Sequence, residues 1–188
     1  MKELKKTSRV LLYNFAELSG AGQELLYKAA KVRVNAQAPY SNYQVGVAII
    51  SKGGSIHVGC NVERCSWTQT THAEQNAIDS MVAANGSAKI LMLALVAAPA
   101  GQSVKLPPKV GHNPITELQD IPVPCGHCLQ IIWENCYGDP NVELLALTAN
   151  GEVAITDMGS ALPMRFGPNH LGVDYGKSVN LHTLTAGH

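Results

Sequence analysis

The chain is poor in charge. Asp, Glu, Lys and Arg make up 15% of its 188 residues, and 14 acidic side chains balance 14 basic ones. A neutral chain without basic clusters is not built to hold a phosphate backbone or an anionic bilayer, so neither nucleic acid nor membrane is an expected partner. Aromatics are equally sparse at 5%, and no row of them offers a platform for stacked bases. The longest apolar stretch, around Ile90–Ala100, is well short of the ~20 residues that span a bilayer. No apolar segment of the secretory kind adjoins the charged Met1–Lys6, so no leader peptide is expected. Cysteine occurs five times, an odd number, and two of the five lie three apart. That argues against a secreted disulfide framework and for a reducing, cytoplasmic setting in which cysteine binds metal or reacts. Hydrophobic residues are plentiful at 46%, enough for the buried core of one domain.

Leu25, Leu26, Ala29, Ala30, Val32 and Ala36 recur at helical spacing and predict a helix over Gly22–Gln37, ended by Pro39. Tyr43–Ile50 and Ser55–Asn61 read as a hairpin about Lys52-Gly53-Gly54. A second helix is predicted over His72–Ala84, with Thr71 as its N-cap and Asn85-Gly86 as its stop. Lys89–Ala98 and Val142–Thr148 read as buried strands, with a helix over Cys125–Cys136 between them and a short strand at Glu152–Thr156. Residues 99–122 hold five of the ten prolines and read as a loop insertion of functional length. Residues 1–20 read as an arm or short helix, 21–157 as the main domain and 158–188 as an extended tail. Helices alternating with strands predict the α/β class.

The chemistry sits in two short pieces, His72-Ala73-Glu74 and Pro124-Cys125-Gly126-His127-Cys128. A Cys-x-x-Cys pair at a helix start lets two sulfurs converge on one ion, and the helix N-terminus favours the thiolate that binds it. With His72 as third ligand, one tetrahedral position stays open for water, the catalytic rather than the structural zinc arrangement. Glu74 stands two residues from His72, where it can move protons without binding metal.

This His-x-Glu … Pro-Cys-x-x-Cys pattern is the zinc deaminase signature. The flanking segments narrow it. Pro39-Tyr40-Ser41-Asn42-Tyr43-Gln44-Val45-Gly46-Val47-Ala48, Gly59-Cys60-Asn61-Val62-Glu63, Thr71–Ile78 and Leu162-Pro163-x-x-Phe166-Gly167-Pro168-x-x-Leu171 resemble blocks of the cytidine deaminase family, in family order. The resemblance spans roughly residues 24–171. It implies a three-layer α/β/α sandwich with a mixed sheet of about five strands. It further implies one zinc per chain held by His72, Cys125 and Cys128, with Glu74 carrying protons to N3 and the departing 4-amino group of cytosine. Asn61 and Glu63 would bind the ribose hydroxyls, and Tyr43 would wall the base. The Ala73 amide would meet O2, the Val123 carbonyl the 4-amino group, and Phe166 a neighbouring subunit's site. A free nucleoside suits Glu63, because a carboxylate accepts from hydroxyls and repels phosphate. The family implies a homo-oligomer, dimer or tetramer, in cytoplasmic pyrimidine salvage.

Four features depart from the family: Tyr43 in place of Phe, the long 99–122 insertion, the linker from Glu63 to His72, and the chain's end soon after the tail. Blander readings stand beside the sharp ones. The cysteine pair suits a structural zinc or a redox couple. Asn61 suits a strand-end turn, Glu63 a solvated loop, Tyr43 plain core, and Phe166 a packing anchor. Trp67 and Trp133 read as packing, and His127 as structural. Other functions remain open. One is deamination of a modified aminopyrimidine nucleoside or nucleoside antibiotic. The others are nucleic-acid editing and a non-catalytic zinc-binding domain.

Overall fold

The computed structural model describes residues 1–174. Six strands form one mixed sheet in the order β1-β6-β5-β4-β2-β3. They are β1 (Leu11–Tyr13), β2 (Tyr43–Ser51), β3 (Ile56–Cys60), β4 (Ile90–Pro99), β5 (Glu143–Leu147) and β6 (Val153–Asp157). The β4–β5 pair is parallel and the other pairs are antiparallel. The helices are α1 (Gly20–Arg33), α2 (Ala73–Asn85), α3 (Gly126–Asn135) and the short α4 (Met158–Ala161).

Three layers follow from the period-two alternation of the strands. Val47 and Ile49 of β2 and Leu93 and Leu95 of β4 point to one face, where Ala77, Ile78 and Met81 of α2 and Leu129 and Ile132 of α3 cover them. Ala48, Ala94 and Val96 point to the other, beneath Leu25, Leu26 and Ala29 of α1. The sheet is thus buried on both faces, which is why its central strands read as continuous apolar runs.

Two glycines set the distance between layers. A Cβ on Gly46 would lie 2.1 Å from the Ala29 carbonyl oxygen of α1. One on Gly59 would lie 2.2 Å from the Ala77 nitrogen and 2.5 Å from the Ala73 carbonyl oxygen of α2. Neither backbone atom has room to yield. Gly59→Ala is therefore expected to cost about 3 kcal/mol. In a thermal melt it should lower Tm by roughly 6–12 °C. It should also loosen the first turn of α2, which carries His72 and Glu74.

The structure differs from the sequence reading in three places. The sheet has six strands rather than about five, because part of the segment read as an arm or short helix forms β1. Leu11 pairs with Ile155 and Tyr13 with Val153, partners far away in sequence that no local periodicity records. His72, not Thr71, is the N-cap of α2: its backbone is extended, at φ −74° and ψ 156°. Within the tail, Asp157 starts α4 by accepting from the Ser160 amide at 2.6 Å. The rest of the tail reading, residues 175–188, lies outside the described residues.

The 99–122 excursion has little regular structure but is tied down. Buried Arg33 donates to the carbonyls of Ala98 and Gln102, at 3.4 and 2.6 Å. Burial pushes its guanidinium pKa down, and nearby Tyr43 partly offsets this. Further along, the Gly111 amide donates to the Asn150 carbonyl at 2.6 Å, and Ile121 is buried against Ala146 and Ala154.

Candidate active site

The first turns of α2 and α3 meet below one edge of the sheet. Cys125 is the N-cap of α3, and Cys128 lies in its first turn. His72 Nδ1 is 3.2 Å from Cys128 Sγ and 3.5 Å from Cys125 Sγ. All three donor atoms fall within 4.8 Å of one another. Zinc bonds of ~2.3 Å to sulfur and ~2.0 Å to nitrogen set tetrahedral donor separations of roughly 3.5–3.8 Å, so the group fits that ion with little movement. Burial pushes the Cys128 thiol up, and Glu74 and Cys125 beside it push it further. His127 is exposed, outside the donor group, its ring edge-on to His72 at 5.8 Å.

Glu74 is 5% exposed and faces the same cleft, a cavity of about 650 Å³. The residues named from sequence as Tyr43, Asn61, Glu63, Ala73 and Val123 all line this cleft with His72 and Cys125. Ala73 is the first residue of α2, so its N–H has no acceptor within the helix.

Glu63 is buried at 4% exposure, not a solvated loop acid. Its Oε2 accepts from the amides of Tyr40 and Ser41, at 2.9 and 3.2 Å, and its Oε1 accepts from the Ser41 hydroxyl. A carboxylate has about four acceptor sites, so one remains for a ligand hydroxyl. Burial pushes the carboxyl up, but the three bonds outweigh it and hold the group below the ordinary carboxylate range. A lowered folded pKa contributes stability above the unfolded value, near ~4.3, that is lost as pH falls through the folded one. Glu63→Gln should therefore cost about 2 kcal/mol at neutral pH. The gap between variant and native melting temperatures should narrow as pH is lowered below ~4.

Asn61 has a structural duty as well. Its Oδ1 accepts from the Val45 amide at 2.8 Å and its Nδ2 donates to the Tyr43 carbonyl at 3.0 Å, fastening the start of β2. One N–H stays free for the cleft. Tyr43 is 42% exposed, so it is not plain core. Trp67, read from sequence as packing, is 56% exposed and lines the cleft, its ring 5.6 Å from that of Tyr40. Its φ of +59° is the local signal of a shaped loop, invisible in residue spacing. Phe166 does not line this chain's cleft: it is 56% exposed and stacks on His170 at 5.3 Å, while its carbonyl accepts from Gln130.

A three-layer α/β/α fold with His, Cys and Cys donors and a carboxylate at two helix starts defines the zinc-binding deaminase class. Residues 21–142 match the family model described as the cytidine and deoxycytidylate deaminase zinc-binding region. A cytidine deaminase of Sporosarcina psychrophila is 31% identical over 149 residues, 79% of this chain and 93% of that protein. The crystal structure of cytidine deaminase from Burkholderia pseudomallei superposes with a TM-score of 0.59 at 28% identity, over 79% of this chain and all of that one. That from Mycobacterium tuberculosis gives 0.54 at 27% identity, over 77% of this chain and 95% of the other. The chain belongs to the cytidine deaminase family of enzymes.

Proposed function

We propose that the chain hydrolyses cytidine and deoxycytidine to uridine and deoxyuridine, releasing ammonia. One observation carries this reading. A single cleft is lined by the hydrogen-bonded Glu63 carboxylate and by His72, Cys125 and Glu74, with the Cys128 sulfur beside His72 at 3.2 Å. Its ~650 Å³ lies in the usual range for small-molecule sites. Glu63 and the free N–H of Asn61 take the ribose hydroxyls, and the negative charge of Glu63 disfavours a phosphate nearby. This favours nucleosides over nucleotides.

His72, Cys125 and Cys128 would hold one zinc per chain. Zinc bound there would supply Lewis acidity that makes water nucleophilic near neutral pH. Glu74 takes a proton from the attacking water, passes it to N3 of the ring and assists departure of the 4-amino group. The Ala73 N–H orients O2, the Val123 carbonyl accepts from the 4-amino group, and Tyr43 walls the ring. The balance closes: water adds at C4, the C4–N4 bond breaks, and the amino group leaves as ammonia.

The working unit in this reading is residues 21–157, with residues 1–20 as an arm and 158–188 as a tail. Phe166, outside its own cleft, reaches the site of a neighbouring copy in a cytoplasmic homo-oligomer serving pyrimidine salvage. Ultraviolet-monitored turnover of cytidine and deoxycytidine, with zinc analysis of the same sample, tests the proposal. Turnover with about one zinc per chain is expected. Zinc without turnover of either nucleoside overturns the substrate assignment.

A further inference from the structure

Arg33 ends α1 and is buried at 2% exposure. Among the described residues the ion pairs join Lys5 to Glu3 and Lys89 to Asp139, and no carboxylate reaches the Arg33 guanidinium. Its Nε has no hydrogen-bond partner there either. A charge buried without an acid lowers stability, so core packing does not account for an arginine at this position.

The guanidinium grips one corner of the sheet. It donates to the carbonyls of Ala98 and Gln102. Between these two residues β4 ends in a turn, closed by the Gln102 amide on the Pro99 carbonyl at 3.1 Å. Pro99 is the cross-strand partner of Tyr43, and the Ala100 amide donates to the Asn42 carbonyl at 2.7 Å. Hydrogen bonds from a charged donor are stronger than neutral ones, so the tie is firm. At its base the Arg33 side chain lies on β2: a Cβ on Gly46 would be 2.8 Å from the Arg33 Cβ. The side chain therefore runs along the β2–β4 pair, from the Gly46–Val96 register to the level of Ala98, one position short of Tyr43 and Pro99.

Tyr43 and Gly46 stand an odd number of residues apart and so on opposite faces of β2. Arg33 bears on the α1 face, while Tyr43 lines the cleft on the other. Tyr43 also borders a hollow of about 330 Å³, which Ala98, Pro99 and Gln102 line with it. With space open beside it as well as in the cleft, the ring is held through its backbone.

We propose that Arg33 is a positioning residue: by tying the Ala98–Gln102 corner from behind the sheet, it fixes Tyr43 against the pyrimidine ring. The inference rests on the nucleoside-deaminase reading above, in which Tyr43 walls the base. A wall that contacts ground state and transition state alike contributes to KM and leaves kcat largely alone.

The test is steady-state turnover of cytidine by the full chain and by Arg33→Met, Tyr43→Ala and the double variant. Each single variant should raise KM about tenfold and hold kcat within about threefold of native. The double variant should match Tyr43→Ala alone, not the roughly hundredfold rise of two independent effects. Arg33→Lys keeps the charge without the planar fork and should raise KM about threefold. The same cycle run on it with Tyr43→Ala decides the matter if Arg33→Met does not fold. A residue that only stabilised the fold would lower the melting temperature and leave KM native. Native KM in the Arg33 variants, or a double variant in which the effects multiply, overturns the inference alone. Native KM in Tyr43→Ala overturns the wall and the inference with it, while the deaminase reading stands. No turnover of cytidine by the native chain overturns the deaminase reading and the inference together.

Discussion

Glu74→Ala should cut kcat for cytidine by roughly 10³–10⁴-fold while zinc content and melting temperature stay close to native. The expectation rests on placement. Glu74 lies in the first turn of α2, 5% exposed, in the wall of the cleft that His72 and Cys125 also line. It does not belong to the metal-donor group, so its loss should not release the ion. An acid in a first helical turn also complements the helix dipole, an effect worth only ~0.3–1 kcal/mol of stability. The two roles separate cleanly in one experiment. A helix-stabilising acid would show a lowered melting temperature and a modest change in rate. A proton carrier shows the reverse, and Glu74→Gln, which keeps shape but cannot take a proton, should be nearly as inactive as Glu74→Ala. Full activity in Glu74→Gln would remove the residue from the mechanism.

Cys128→Ala should abolish both metal and turnover. Cys128 is fully buried between α2 and α3, with His72 Nδ1 at 3.2 Å. Alanine keeps the small apolar character of the position but leaves two donors, too few for tight zinc. Zinc should fall from about one per chain to background, and a chelator should lower the melting temperature of the native chain but not of the variant. At a free-metal concentration 1,000 times Kd, that linkage stabilises the native chain by ~4 kcal/mol. Native-like zinc in Cys128→Ala would mean the ion is held elsewhere. A redox pair would behave differently again: neither chelator nor metal analysis would distinguish the two proteins.

The metal donors were within reach of sequence reasoning because short-range geometry controls them. Cys125 and Cys128 are one helical turn apart, so α3 alone brings them to one side. His72 and Glu74 straddle a helix start for similarly local reasons. The central strands could be read because burial on both faces leaves a continuous apolar run. By contrast, β1 is a three-residue edge strand whose pairing with β6 joins distant parts of the chain. Nothing in Leu11-Leu12-Tyr13 states that partner. Asn61 illustrates a subtler limit. Its residue type suits a ligand hydroxyl and a strand-end turn alike, and the fold uses the amide for Val45 and Tyr43 while leaving one N–H over. Trp67 does pack, its ring 5.6 Å from that of Tyr40, but it also lines the cleft, on a left-handed backbone that residue type does not signal.

Composition, periodicity and spacing therefore determined the α/β class, the helices that start at His72 and Cys125, and the Cys-x-x-Cys pair. These depend on contacts within a turn or on alternation along a strand, which sequence order encodes directly. Tertiary structure alone decided that two helix starts 53 residues apart meet within hydrogen-bonding distance. It also decided that Glu63 is buried under the amides of Tyr40 and Ser41. Each depends on layers closing over a sheet, and Gly46 and Gly59 set that distance because a Cβ there would meet backbone.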